Sequence, residues 1–257
     1  MPTELSIALI QTSLAWQDPA KNREVFTNAI GTLASPVDLV VLPEMFTTGF
    51  TMTPEAIDQN EGPLTLEWML SQAKEHNMAL VGSIPFYEEA QYSNRLFFVE
   101  PNGQYHYYDK KHTFTLAGED LVYKSGEKRL IVNYKGFKIC PMICYDLRFP
   151  VWARYKGDYD VLLYVANWPQ PRVSAWDALL KARAVENMAY CVGVNRIGSD
   201  ANDHIYCGHS AVYDSLGELL VFSEEDTVLL TTLSKDHIEA IRKKLRFLED
   251  RDDFTLL

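Results

Sequence analysis

Five stretches of this chain, residues 5–11, 37–42, 137–143, 160–166 and 190–195, are almost continuously apolar and show little of the alternation of a strand with one wet face. Strands of that kind are buried on both faces, so any sheet they form has to be covered twice. Helical segments lie between them. Asp18 can cap and Pro19 can start a helix whose inward face carries Val25, Phe26, Ala29, Ile30 and Leu33. Pro63 starts a second helix, with Leu66, Met69, Leu70 and Ala73 inward, which leads into a strand over 78–86. The chain therefore opens as β-α-β.

Hairpin signals follow. Pro101-Asn102-Gly103 separates strands over 94–100 and 104–109, and Lys135-Gly136 separates strands over 128–134 and 137–143. Ser215-Leu216-Gly217 joins 208–214 to 218–222, a helix occupies about 173–188, and a strand over 228–233 precedes a helix capped by Ser234. Fully buried strands together with antiparallel hairpins imply an α/β fold of two mixed sheets packed on each other, with helices outside. The 257 residues contain no linker, low-complexity tract or repeat, so residues 1–257 read as a single domain.

Composition excludes several function classes. A formal net charge of -11 argues against nucleic acid as a partner. The four cysteines lack paired zinc-site spacings, the six histidines include no HExxH, and neither a P-loop nor GxGxxG is present, so the reading is no metal and no cofactor. Nothing approaches the ~18 uninterrupted apolar residues of a membrane span. The start, Met1-Pro2-Thr3-Glu4, lacks the basic region of a signal peptide, so the expected location is cytoplasmic with reduced thiols.

Three charged or reactive residues end apolar strands, where desolvation is costly unless function compensates. Cys144 follows the strand 137–143 and precedes Tyr145-Asp146-Leu147-Arg148-Phe149-Pro150; by itself it reads equally as a small buried hydrophobe or as a nucleophile. Glu44 ends Leu39-Val40-Val41-Leu42-Pro43 and either caps a turn or points into a site. Lys110, in Tyr107-Tyr108-Asp109-Lys110-Lys111-His112-Thr113-Phe114, reads alone as a solvated strand end.

Taken in order, Leu-Pro-Glu44, Asp-Lys110-Lys-His-Thr-Phe and Ile-Cys144-Tyr-Asp-Leu-Arg-Phe-Pro resemble the Glu-Lys-Cys triad of the nitrilase superfamily, the carbon-nitrogen hydrolases. Tyr164-Val-Ala-Asn-Trp-Pro169, Ala182-Arg-Ala-Val-Glu-Asn187 and Gly208-His-Ser210 extend the resemblance over nearly the whole chain. Within the superfamily, Ala166-Asn-Trp-Pro169 and Phe46-Thr-Thr-Gly-Phe50 are most similar to the bacterial omega-amidases. The resemblance implies a four-layer α-β-β-α sandwich and hydrolysis of a small-molecule omega-amide such as 2-oxoglutaramate. It also implies a homodimer formed through the helices flanking the nucleophile, with a tail from about residue 247 able to dock on the neighbour. Glu119 matches the family's second glutamate, which orients the lysine and the substrate amine. The rival readings are another branch of the superfamily, that is a nitrilase, carbamoylase or aliphatic amidase, or a silent small-molecule binding protein.

The residue types fit that chemistry. Carboxylates raise a neighbouring thiol's pKa, so Cys144 needs a base in contact, and Glu44 is that base. Lys110, together with the Tyr145 backbone N–H, can stabilise the oxyanion formed by attack on an amide carbon. A dicarboxylate monoamide also needs a cation for its far carboxylate, and Arg148 and Arg172 are the candidates; each could instead pair with an internal acid such as Glu186. Phe50, Tyr145 and Trp168 are candidate pocket walls, with ordinary core as the alternative.

Overall fold

The apolar runs become the centres of two six-stranded sheets in the computed structural model, which describes residues 3–33 and 36–255. The first sheet takes β1 (Glu4–Gln11), β2 (Leu39–Val41), β3 (Ala79–Glu88), β4 (Gln91–Val99) and β5 (Tyr105–Asp109). The second takes β6 (Val132–Tyr134), β7 (Phe137–Ile143), β8 (Val161–Ala166), β9 (Tyr190–Asn195), β12 (Ser210–Tyr213) and β13 (Leu219–Ser223), while β14 (Thr227–Ser234) returns to the first. Strands β10 (Ile197–Ser199) and β11 (Ile205–Cys207) form a separate two-stranded ribbon.

Strand order is β14-β1-β2-β3-β4-β5 in one sheet and β13-β12-β9-β8-β7-β6 in the other. Each has a parallel trio at its centre, β1-β2-β3 and β7-β8-β9, flanked by antiparallel strands, so both are mixed. Helices α1 (Pro19–Gly31) and α2 (Glu61–Glu75) make the crossovers of the first trio, and α5 (Val173–Asn187) makes the second crossover of the other. Short helices α3 (Glu119–Val122) and α4 (Pro150–Ala153) lie in loops, and α6 (Lys235–Leu245) follows β14.

The pleat sorts β1 between two environments: Leu5, Ile7 and Leu9 pack in the core between the sheets, whereas Ala8 and Ile10 pack with Phe26, Ile30, Met69 and Ala73 of α1 and α2. On the far side α5 lies against β9 so closely that a Cβ on Gly193 would sit 2.5 Å from Leu180 Cδ1 and 2.8 Å from Trp176 Cζ2. The result is the four-layer α-β-β-α sandwich. No described helix is long and apolar enough to cross a membrane.

Local signals held where capping chemistry was explicit. Asp18 Oδ1 accepts the Lys21 N–H at 3.0 Å, and Ser234 Oγ accepts the His237 N–H at 3.2 Å. The second helix starts at Glu61, two residues before Pro63, and the strand expected over 128–134 shortens to β6. The β3-β4 hairpin was not anticipated, because its turn uses Glu89 (φ 50°) and Ala90 (φ 62°) rather than the usual Gly or Asn.

Candidate active site

The carboxyl ends of parallel strands converge on one cleft, the usual place for a site in an α/β sheet. Glu44 follows β2, Cys144 follows β7 and Asn167 follows β8, while Lys110 follows the antiparallel β5. Cys144 has φ 42°, a left-handed conformation that is strained for a residue with a Cβ. It opens a 3-10 turn, Cys144–Arg148, whose first N–H groups, Tyr145 among them, have no partner within the turn.

Asp146 holds that turn in place. Its Oδ2 accepts the Tyr108 hydroxyl at 2.8 Å and the Ile143 N–H at 3.1 Å, and its Oδ1 meets the His112 N–H at 3.0 Å and His112 Nδ1 at 2.8 Å. The His112 ring stacks on Phe149 at 3.8 Å between centroids. The loop after Glu44 is anchored in the same manner, with the Met45 N–H on Ser83 Oγ at 3.0 Å and Asn22 Nδ2 donating to Thr47 O at 2.6 Å.

Glu44, Lys110 and Glu119 are buried together. Lys110 Nζ donates to Glu44 Oε1 at 2.8 Å and to Glu119 Oε2 and Oε1 at 2.8 and 3.0 Å. Burial alone would lower the ammonium's pKa, but Glu119 and then Glu44 outweigh it and hold the lysine charged. Burial pushes the Glu119 carboxyl upward, with Lys110 opposing. Burial also pushes the Cys144 thiol well above its ordinary value, reinforced by the negative charge of the nearby Glu44 carboxylate. The resting site therefore holds a thiol beside a base rather than a free thiolate.

Two asparagines complete this cluster: Asn94, which sequence reasoning missed, and Asn167, which it met only within a stretch of family resemblance. Asn94 Nδ2 donates to Glu44 Oε1 at 2.8 Å and to Glu119 Oε1 at 3.1 Å. The Asn167 N–H donates to Glu44 Oε2 at 2.9 Å, and its side-chain amide donates to the Glu44 carbonyl.

Above the cluster opens a cleft of about 350 Å³ lined by Phe50, Lys110, Cys144, Tyr145, Arg148, Trp168 and Arg172 among others. All five residues expected to contact substrate are in its wall. Glu186 pairs with Arg183 at 2.9 Å, not with either candidate arginine. Arg148 lies over the Trp168 ring at 4.9 Å and Arg172 over the Phe114 ring at 5.1 Å, and neither makes an ion pair among the described residues. The ribbon supplies a wall that sequence reasoning missed: Asp200, Asn202, His204 and Tyr206 line the same cleft. Asp200 is saturated there, accepting from the Asn202 N–H at 2.8 Å, the His204 N–H at 3.0 Å and the Tyr206 hydroxyl at 2.9 Å.

A thiol, a buried carboxylate and a buried ammonium at the foot of a cationic cleft are equipped for nucleophilic acyl transfer. The carbon-nitrogen hydrolase family model matches residues 6–243. This chain is a carbon-nitrogen hydrolase of the nitrilase superfamily. It is 42% identical over 254 residues to the omega-amidase YafV of Escherichia coli strain K12, with 98% of each chain covered. It is 29% identical over 252 residues to the 2-oxoglutaramate amidase of Bacillus subtilis strain 168, covering 95% of this hydrolase and 96% of that one. Among solved structures it matches XC1258 of Xanthomonas campestris, a CN-hydrolase superfamily protein with an arsenic adduct in its active site. That match has a TM-score of 0.93 and 42% identity, with 99% of each chain covered.

Proposed function

We propose that this hydrolase is an omega-amidase that converts 2-oxoglutaramate-like dicarboxylate monoamides to the acid and ammonia through a thioester on Cys144. The observation that carries this reading is the pairing of a Cys144–Glu44–Lys110 floor with two arginines, Arg148 and Arg172, that have no acid partner in the cleft above it among the described residues. The names of its relatives, omega-amidase and 2-oxoglutaramate amidase, support the same class.

In this reading the substrate amide lies over Cys144 with its distal carboxylate toward Arg148 and Arg172, which offer charge-assisted hydrogen bonds. As sulfur attacks the amide carbon, Glu44 takes the thiol proton, an effect typically worth about 10²- to 10⁴-fold in rate. Negative charge develops on the amide oxygen. Lys110 Nζ and the Tyr145 N–H receive it, and one such donor is worth about 10²- to 10³-fold. Glu44 then delivers its proton to the leaving nitrogen, ammonia departs and the thioester remains. Water deprotonated by Glu44 attacks the thioester, a second oxyanion forms and collapses, and the carboxylic acid leaves as the thiol regains its proton. Glu119 holds Lys110 in place and charged throughout. Phe50, Tyr145 and Trp168 exclude solvent from the reacting carbon.

The proposal extends to a cytoplasmic, single-domain enzyme over residues 1–257 that works as a homodimer. Its contact surface would combine the helical stretches flanking the nucleophile, 148–155 with α4, where Val151 is 52% exposed, and 173–188 with α5, and the tail from 247, where Phe247 is 61% exposed. The test of function is a panel read by ammonia release: 2-oxoglutaramate and succinamate against a simple nitrile, an N-carbamoyl amino acid and an uncharged aliphatic amide. The expected result is a kcat/KM for the two carboxylate-bearing amides at least about 10²-fold above the others. Preference for the nitrile, the carbamoyl compound or the uncharged amide would assign the chain to another branch.

A further inference from the structure

Two carboxylates that share a buried site ordinarily resolve their repulsion by one of them taking a proton. A protonated Glu44 could not accept the thiol proton, so the site needs a reason for that carboxylate to stay ionised. Lys110 supplies one positive charge for two negative ones. The remaining donor common to both is Asn94, whose side-chain amide nitrogen lies 2.8 Å from Glu44 Oε1 and 3.1 Å from Glu119 Oε1. Its backbone carbonyl also accepts the Lys110 N–H at 3.0 Å, so the same residue fixes the strand end that carries the ammonium. Asn94 is fully buried, and its Oδ1 has no partner among the described residues.

We propose that Asn94 is a positioning residue that bridges Glu44 and Glu119, keeps Glu44 ionised as the base for Cys144, and thereby sets the acid limit of activity. The proposal rests on the reading of Glu44 as general base. The titratable groups facing this pair are Lys110 after β5, Cys144 after β7, Tyr123 after α3 and Tyr206 on β11. The two tyrosines are held protonated by burial, so the lysine is the one cation in the set. Loss of the Asn94 donor makes proton uptake by the glutamates easier. The acid limb of the kcat/KM profile then moves to higher pH.

The experiment compares Asn94→Asp and Asn94→Leu with the wild-type chain, using 2-oxoglutaramate. It measures kcat and KM from pH 5 to 9 and takes the melting temperature of each protein. The expected result is an acid limb displaced upward by about one unit or more in both variants. At neutral pH, kcat falls by about 10²-fold while KM changes little. Asn94→Asp adds a negative charge and should move the limb further than Asn94→Leu, which only removes the donor. A folded variant whose acid limb stays at the wild-type position, whatever its melting temperature, overturns the bridging role. Glu44→Gln is run alongside: if it retains wild-type turnover, the general-base reading fails and the proposal fails with it. If Glu44→Gln is inactive and the Asn94 limbs do not move, the proposal alone is overturned.

Discussion

At the floor of the cleft every carboxylate oxygen of Glu44 and Glu119 accepts a hydrogen bond, whereas at its rim two cations are left open. Glu44 Oε1 receives Lys110 and Asn94, Glu44 Oε2 receives the Asn167 N–H, and Lys110 reaches both oxygens of Glu119. On the wall above, Arg148 and Arg172 have aromatic faces beside them and no carboxylate among the described residues. Buried charge held by several partners is preorganised for the bond-making step, while half-buried cations resting on rings keep their donors free for a substrate anion. The contrast assigns bond making to the floor and substrate choice to the rim, and the two can be perturbed separately.

The largest expected effect comes from breaking the floor. Lys110→Met leaves Glu44 and Glu119 buried without a counter-charge, and breaking a buried pair in this way typically costs about 3–5 kcal/mol. The deficit should depend on pH. Burial already raises the Glu119 carboxyl, and removal of Lys110 raises it further. A group raised in the folded state contributes stability at low pH that is lost as the pH climbs through its folded value. Urea denaturation of Lys110→Met should therefore show a smaller gap from wild type near pH 5 than near pH 8; a gap that is constant or widens toward acid would contradict the charge account.

A smaller effect, and one confined to binding, is expected at the rim. Arg148→Met or Arg172→Met should raise KM for 2-oxoglutaramate by about 10-fold or more, with kcat nearly unchanged and an uncharged amide unaffected. A loss of kcat with unchanged KM would place that arginine with the floor instead.

The same division explains what could be read from the sequence. Glu44, Lys110 and Cys144 drew attention at strand ends, where a charge or thiol needs a reason, but each was ambiguous alone and became legible only when their order matched the family's triad. Glu119 sits in a polar loop and was visible only through family resemblance. The parallel and antiparallel segments, and hence the two mixed sheets, followed from burial pattern and turn chemistry. Asn94 escaped notice because a lone asparagine near a strand start reads as a turn residue, and its role depends on two glutamates that are 50 and 25 residues away in sequence. The ribbon over Ile197–Ser199 and Ile205–Cys207 escaped for a different reason. Its strands are three residues long, below the length at which periodicity is informative, and a buried arginine, Arg196, anchors it by donating to Ile197 O at 3.1 Å and Ser199 O at 2.9 Å.

The central claim is that an omega-amide is cleaved through a covalent bond to Cys144. Acid-quenched mass spectrometry of the intact protein mixed with 2-oxoglutaramate tests it most directly, with peptide mapping of any adduct and Cys144→Ala as control. The account predicts a transient adduct equal in mass to the substrate less ammonia, located on Cys144. Cys144→Ala should remain folded, carry no adduct and release no ammonia. Turnover with an adduct on another residue, or near-native ammonia release by Cys144→Ala, would contradict it.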